Sequence, residues 1–183
     1  MFQKLLETLA VGLEQRSIDY VVIGGQALLI YGEPRLTKDI DITLAVGPER
    51  LADIQTLVSE HQWKILVDSP KDFVSRTLVL PCLDPGSGIR IDFIFSFSLY
   101  EKQVMQRARR IMIGKSKVCF ASLEDFIIHK IIAGRPRDLE DVRTVLLKNP
   151  KPDSAYLHKW LRQFEDALAQ PFLKRLEEIQ RQL

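Results

Sequence analysis

Hydrophobic and polar positions alternate in two short stretches of this chain and recur at helical spacing in most of the rest. Val21-Val22-Ile23 is an apolar run that stops at Gly24-Gly25, the pattern of a buried strand entering a tight turn. Ala27 to Tyr31 then predicts a short helix closed by Gly32, and Arg35 to Lys38 leads into a second strand over 39–44. Side chains on a strand alternate between faces, so Asp39, Asp41 and Thr43 share one face and Ile40, Ile42 and Leu44 the other. Residues 89–95 alternate in the same way: Ile91, Phe93 and Phe95 are apolar, while Arg90 and Asp92 point the other way. A strand over 75–80 is expected before it, with the Pro- and Gly-rich stretch 81–88 closing a hairpin.

Helical periodicity covers much of the remainder. Phe2, Leu5, Leu6, Leu9 and Leu13 trace an amphipathic helix, and 48–60 and 99–110 predict two more. Short strands are expected at 63–67, 111–113 and 117–120. Ser122 and Asp125 form a capping box for a helix that ends at Gly134. Its apolar stripe is Leu123, Phe126, Ile127 and Ile131, and Lys130 falls in the middle of it. A helix over 137–147 and two C-terminal helices follow. The expected architecture is α+β: a mixed sheet flanked by helices as one domain over residues 1–150, with a helical extension over 151–183 packed on it.

The polar exceptions to this pattern carry the chemistry. Asp39 and Asp41 project from one strand face beside a glycine turn with free amides, which suits a metal and a phosphate. Asp92 is the third carboxylate such a site needs, given its alternation on a neighbouring strand. Nucleotidyl transfer attacks the α-phosphate of an NTP and expels pyrophosphate, so charge must be neutralised on both sides. Three carboxylates can hold a pair of Mg²⁺ ions for an in-line displacement. In that arrangement Asp39 and Asp41 take the ion that carries the triphosphate. Asp92 completes a second position or serves as general base. Gly24 and Gly25 allow the backbone to approach the phosphates.

Gly24-Gly25, Arg35-x-Thr37-x-Asp39-Ile40-Asp41 and Asp92 resemble the minimal nucleotidyltransferase superfamily and, more narrowly, the AbiEii/AbiGii-type toxin branch, over about Ile18 to Leu147. The resemblance implies a nucleotidyltransferase-like fold, magnesium dependence and transfer of a nucleoside monophosphate to a hydroxyl acceptor. Some members of that branch modify transfer RNA, which brings in RNA as acceptor and an antitoxin protein as partner; others modify proteins or small molecules. It also implies nucleotide-binding roles for Arg35, Thr37, Lys130, Asp138 and Asp141. The residues themselves leave a second reading open. Lys130 could pair with a structural acid, and Asp138 and Asp141 sit in the first turn of a helix, where acids favour the dipole.

Composition narrows the field slightly. The 183 residues carry a formal net charge of +2, too little to point to a polyanion by itself. Lys102, Arg107, Arg109, Arg110, Lys115 and Lys117 fall close together. They are either a solvated basic stretch or a track for RNA phosphates. No apolar run approaches the roughly 20 residues of a spanning helix. The first residues lack a signal-peptide pattern, and Cys82 and Cys119 have no paired zinc spacing. A cytoplasmic protein without membrane association is expected. A non-catalytic relative that binds nucleotide or a partner, and an aminoglycoside-type enzyme, are the alternatives.

Overall fold

In the computed structural model, residues 2–32 and 37–183 are described. They form two compact units: residues 2–26 with 37–121, and residues 27–32 with 122–183.

The first unit is built on a mixed sheet of seven strands among the described residues. In chain order these are β1 (Tyr20–Ile23), β2 (Asp39–Leu44), β3 (Lys64–Ile65), β4 (Val79–Asp84), β5 (Ile89–Phe95), β6 (Arg109–Ile113) and β7 (Ser116–Phe120). Across the sheet the order is β3-β4-β5-β2-β1-β7-β6. The central pair β2 and β5 is parallel, as is β1 with β7, and the other pairs are antiparallel. Val21, Val22, Ile40, Ile42, Ile91, Phe93 and Phe95 are fully buried. The apolar alternation of β5 therefore packs as its pattern requires, with Arg90 exposed between Ile89 and Ile91. Helices α1 (Phe2–Gln15), α3 (Leu51–Glu60), α4 (Pro70–Thr77) and α5 (Leu99–Arg107) flank the sheet. The mixed sheet flanked by helices is the fold class that the periodicity implies.

Four local expectations need correction. The helix after β1, α2 (Gly24–Tyr31), starts at Gly24 itself rather than at Ala27. The first turn of a helix has no internal partners for its amides, so glycines are tolerated there. Residues 75–77 are helical, not a strand, because Pro70 sits in the first turn of α4 and Asp72 complements its dipole. The helix stops where Leu78 takes a left-handed conformation, φ +58°. Pro81 lies inside β4 rather than in the turn, and its carbonyl accepts from Leu66 N–H at 2.9 Å. It lacks a ladder donor, but the neighbouring β3 is only two residues long. The 99–110 helix ends at Arg107, and Arg109 already belongs to β6.

The second unit is helical. It holds most of α2 with α6 (Leu123–Ala133), α7 (Pro136–Lys148), α8 (Ser154–Leu168) and α9 (Phe172–Gln180). Ser122 caps α6 as expected, its hydroxyl accepting from Asp125 N–H at 3.2 Å. Gly134 ends it at φ +63°. Tyr156 on α8 donates to Asp125 at 2.8 Å, which ties the two helices at the cap. No helix among the described residues is long and apolar enough to cross a membrane.

Candidate active site

The three acids come together through register. β2 and β5 run parallel with Asp41 opposite Asp92 and Asp39 opposite Arg90. Residues opposite one another in a ladder share a face, so Asp39, Asp41, Arg90 and Asp92 all project from the same side of the sheet. On the other flank of β2, Ile23 of β1 is opposite Asp41. The chain leaves β1 at this point into the glycine pair. A Cβ built on Gly24 would land on Asp41 Oδ2, and Gly24 has φ +66°. Both facts require glycine there: the left-handed backbone disfavours any other residue, and the space is filled by the carboxylate.

Gly25 is held to its neighbour in the same way. A Cβ there would land on the Thr37 side-chain methyl. Thr37 is itself buried, and its hydroxyl accepts from Gln26 Nε2 at 2.6 Å. Thr37 thus locks the start of β2 onto the first turn of α2 by shape and by a hydrogen bond. Gln26, 2 % exposed, was not singled out by periodicity or motif; its one signal is a polar side chain at a position the helix buries. Gly25→Ala should cost about 1–3 kcal/mol by overpacking. Thr37→Ser removes the opposing methyl and keeps the hydroxyl, so Gly25→Ala measured in that background should lose about 1 kcal/mol less. A denaturant double-mutant cycle reads this directly, and strict additivity would show that the two residues do not confront each other.

Charge in the site is partly balanced from within. Arg90 Nε donates to Asp92 Oδ1 at 2.8 Å. That bond, with attraction from Asp41 and Asp39 behind it, raises the Arg90 guanidinium above its ordinary value. Asp39 is exposed and Asp41 and Asp92 are half-buried, so the carboxylates stay open to water. Beneath them, burial pushes the Cys82 thiol up to about 12, with the Asp92 charge adding to the effect; it is not a nucleophile at neutral pH.

The donor chemistry fits a hard divalent cation: three carboxylates on adjacent strands, water-accessible, beside amides suited to phosphate. Among the described residues no group of three or more His, Cys, Asp or Glu side chains gathers in a way that could hold a metal ion. Arg90 engages one oxygen of Asp92. Arg35 lies outside the described residues.

The remaining candidates belong to the second unit. Lys130 on α6 is buried, with Nζ 2.6 Å from Asp138 Oδ1 and 2.9 Å from Asp141 Oδ2. Phe126 presents its ring 5.7 Å from the same ammonium. Arg135 adds a second cation to Asp138. Burial works to raise the Asp138 carboxyl, but the hydrogen bonds from Arg135 and Lys130 outweigh it and hold the group below its ordinary value. Two cations and two carboxylates thus satisfy one another between α6 and α7.

A cleft of about 480 Å³ opens at the opposite end of β1 from Gly24, lined in part by Glu14, Asp19, Tyr20, Arg110, Lys117 and Cys119. Its four charged residues are exposed, and none of the three acids reaches it. Placement of charge, not volume, makes the carboxylate face the candidate site.

A family model described as "nucleotidyltransferase of unknown function (DUF6036)" matches residues 2–175. The chain belongs to that family. None of the functionally curated proteins matches it. Its fold is similar to that of the antibiotic-resistance factor ANT(2'')-Ia, at 14% identity and TM-score 0.64, covering 91% of this chain and 94% of that one. It is also similar to an antigenic nucleotidyltransferase-like protein from Paracoccidioides brasiliensis, at 20% identity and TM-score 0.55, over 91% and 88% of the two chains. The lincosamide antibiotic adenylyltransferase LnuA is a further likeness, at 14% identity and TM-score 0.51, over 73% and 89%. At such identities these likenesses establish the fold. The family match establishes the nucleotidyltransferase superfamily and does not reach the toxin branch.

Proposed function

We propose that this protein transfers a nucleoside monophosphate from an NTP to a hydroxyl acceptor and releases pyrophosphate. The observation that carries this reading is the pairing of Asp41 with Asp92 on parallel strands, with Asp41 packed against Gly24. Asp39, Asp41 and Asp92 would hold Mg²⁺, which when bound supplies the positive charge that the triphosphate and the leaving pyrophosphate need. The Gly24 and Gly25 amides, with no side chain in the way, donate to phosphate oxygens. Thr37 keeps that turn in register with β2. Asp92 would complete the second metal position or act as general base on the acceptor hydroxyl. We assign Lys130, Asp138 and Asp141 to holding α6 against α7, since two buried carboxylates already take two of the three donors of this buried lysine. Arg35 is assigned to the nucleotide on its sequence position alone.

Two acceptor classes are supported. RNA follows from the resemblance to toxins that modify transfer RNA. A small polyhydroxylated molecule is supported by neighbours whose own acceptors are antibiotics. The test is incubation of the full chain with each α-labelled NTP, Mg²⁺, and total RNA or an aminoglycoside and lincosamide panel. Label should appear in one acceptor and be absent with Asp41→Ala. Nucleotide binding without label in RNA, protein or small alcohols would replace the enzyme by a binding module.

A further inference from the structure

Among the described residues, Arg90 is a cation that the strand register sets directly on the acid face. It stands opposite Asp39, two ladder positions from the Asp41–Asp92 pair, and its Nε is 2.8 Å from Asp92 Oδ1. Its side chain is 51% exposed, so it can swing into water without leaving a void or an unmade bond. Three carboxylates on one face repel one another, and a resident guanidinium offsets part of that repulsion. A divalent ion approaching the same acids meets a like charge and finds one oxygen of Asp92 already engaged.

We propose that Arg90 is a built-in counter-cation of the acid cluster, displaced when a divalent ion binds, and that it thereby sets the metal concentration at which the site loads. The proposal rests on the nucleotidyltransferase reading of these acids. Arg90 holds one oxygen of Asp92 by its Nε, in the ladder that sets Asp92 opposite Asp41. Loading then requires the guanidinium to leave, so the site fills only once metal is abundant enough to compete. An exposed ion pair is individually weak, and the removal of like-charge repulsion adds to it. The combined effect on metal affinity is on the order of three- to tenfold.

The experiment is Mn²⁺ binding to the purified full chain without nucleotide, followed by the paramagnetic signal of the free ion. Arg90→Gln should bind Mn²⁺ roughly three- to tenfold more tightly than the parent, and Arg90→Lys, which keeps the charge, should stay near the parent value. Arg90→Met retains the aliphatic stem and should match Arg90→Gln, which covers the case in which the glutamine variant is poorly folded. Equal or weaker Mn²⁺ binding in both neutral variants overturns the inference and leaves the enzyme reading standing. So does a loss of ATP affinity with Mn²⁺ affinity unchanged, which would make Arg90 a phosphate ligand. No Mn²⁺ binding by the parent or any variant overturns the inference and the reading together.

Discussion

Asp39→Asn is expected to lower nucleotidyl transfer by roughly a hundred- to a thousandfold at saturating Mg²⁺, the scale of losing one preorganised charge-stabilising group. Its stability should remain within about 0.5 kcal/mol of the parent. The two halves of this expectation have one cause. Asp39 is exposed and lies on the same face as Asp41 and Asp92. Without an ion, its charge adds repulsion to the cluster; with one, its oxygen is an anionic ligand that a carboxamide cannot replace. Amide substitution keeps the shape and removes only the charge, so circular dichroism and the melting curve should be unchanged while labelled product disappears. A variant that transfers normally would remove Asp39 from the site. A variant that melts many degrees lower would show that the carboxylate holds the strand in place.

Lys130→Ala should cost about 3–5 kcal/mol, the scale of breaking a buried ion pair from one side. Lys130 is 5% exposed, Asp138 2% and Asp141 6%, and removal of the ammonium takes a cation from both buried carboxylates while Arg135 stays on Asp138. In a chain of this size the melting temperature should fall by on the order of 10 °C. Neutralising the whole cluster, with Lys130→Met, Asp138→Asn and Asp141→Asn together, should recover much of the loss, because the cost comes from unpaired charge rather than from the missing attraction. The acid limb tests the same cluster. The native Asp138 carboxyl lies below its unfolded value of 3.8. Its contribution is therefore present above that value and lost as pH falls through the lower native one. Lys130→Ala should weaken the lowering and move acid unfolding to higher pH. Unchanged melting with a selective loss of nucleotide affinity would return Lys130 to the nucleotide.

Much of the carboxylate face was legible along the chain, because it depends on local geometry. Alternation assigns Asp39, Asp41, Arg90 and Asp92 to the polar faces of their strands whatever those strands later pair with, and it assigns Ile40, Ile42, Ile91, Phe93 and Phe95 to the core. The Ser122 cap and the Gly134 stop were readable for the same reason: a helix end is satisfied by residues within one turn of it. Local signals misled at 70–84, where Pro70 and Pro81 each suit two structures. The neighbours of β4, not its own residues, allow a proline inside it.

Only the tertiary structure decided what faces what. Asp41 meets Asp92 because β5 adds to β2 in parallel and in one register; a slip of one residue would have turned Asp92 to the other face. No local pattern carries that register, since it comes from packing Ile40, Ile42, Phe93 and Phe95 into one core. The same holds for Gly25, whose missing side chain makes room for Thr37, for Lys130, whose partners lie on the next helix, and for Arg90, which reads as a solvated strand residue until the acids are set beside it. Faces follow from the backbone of each segment by itself, whereas partners follow from the burial of segments against one another.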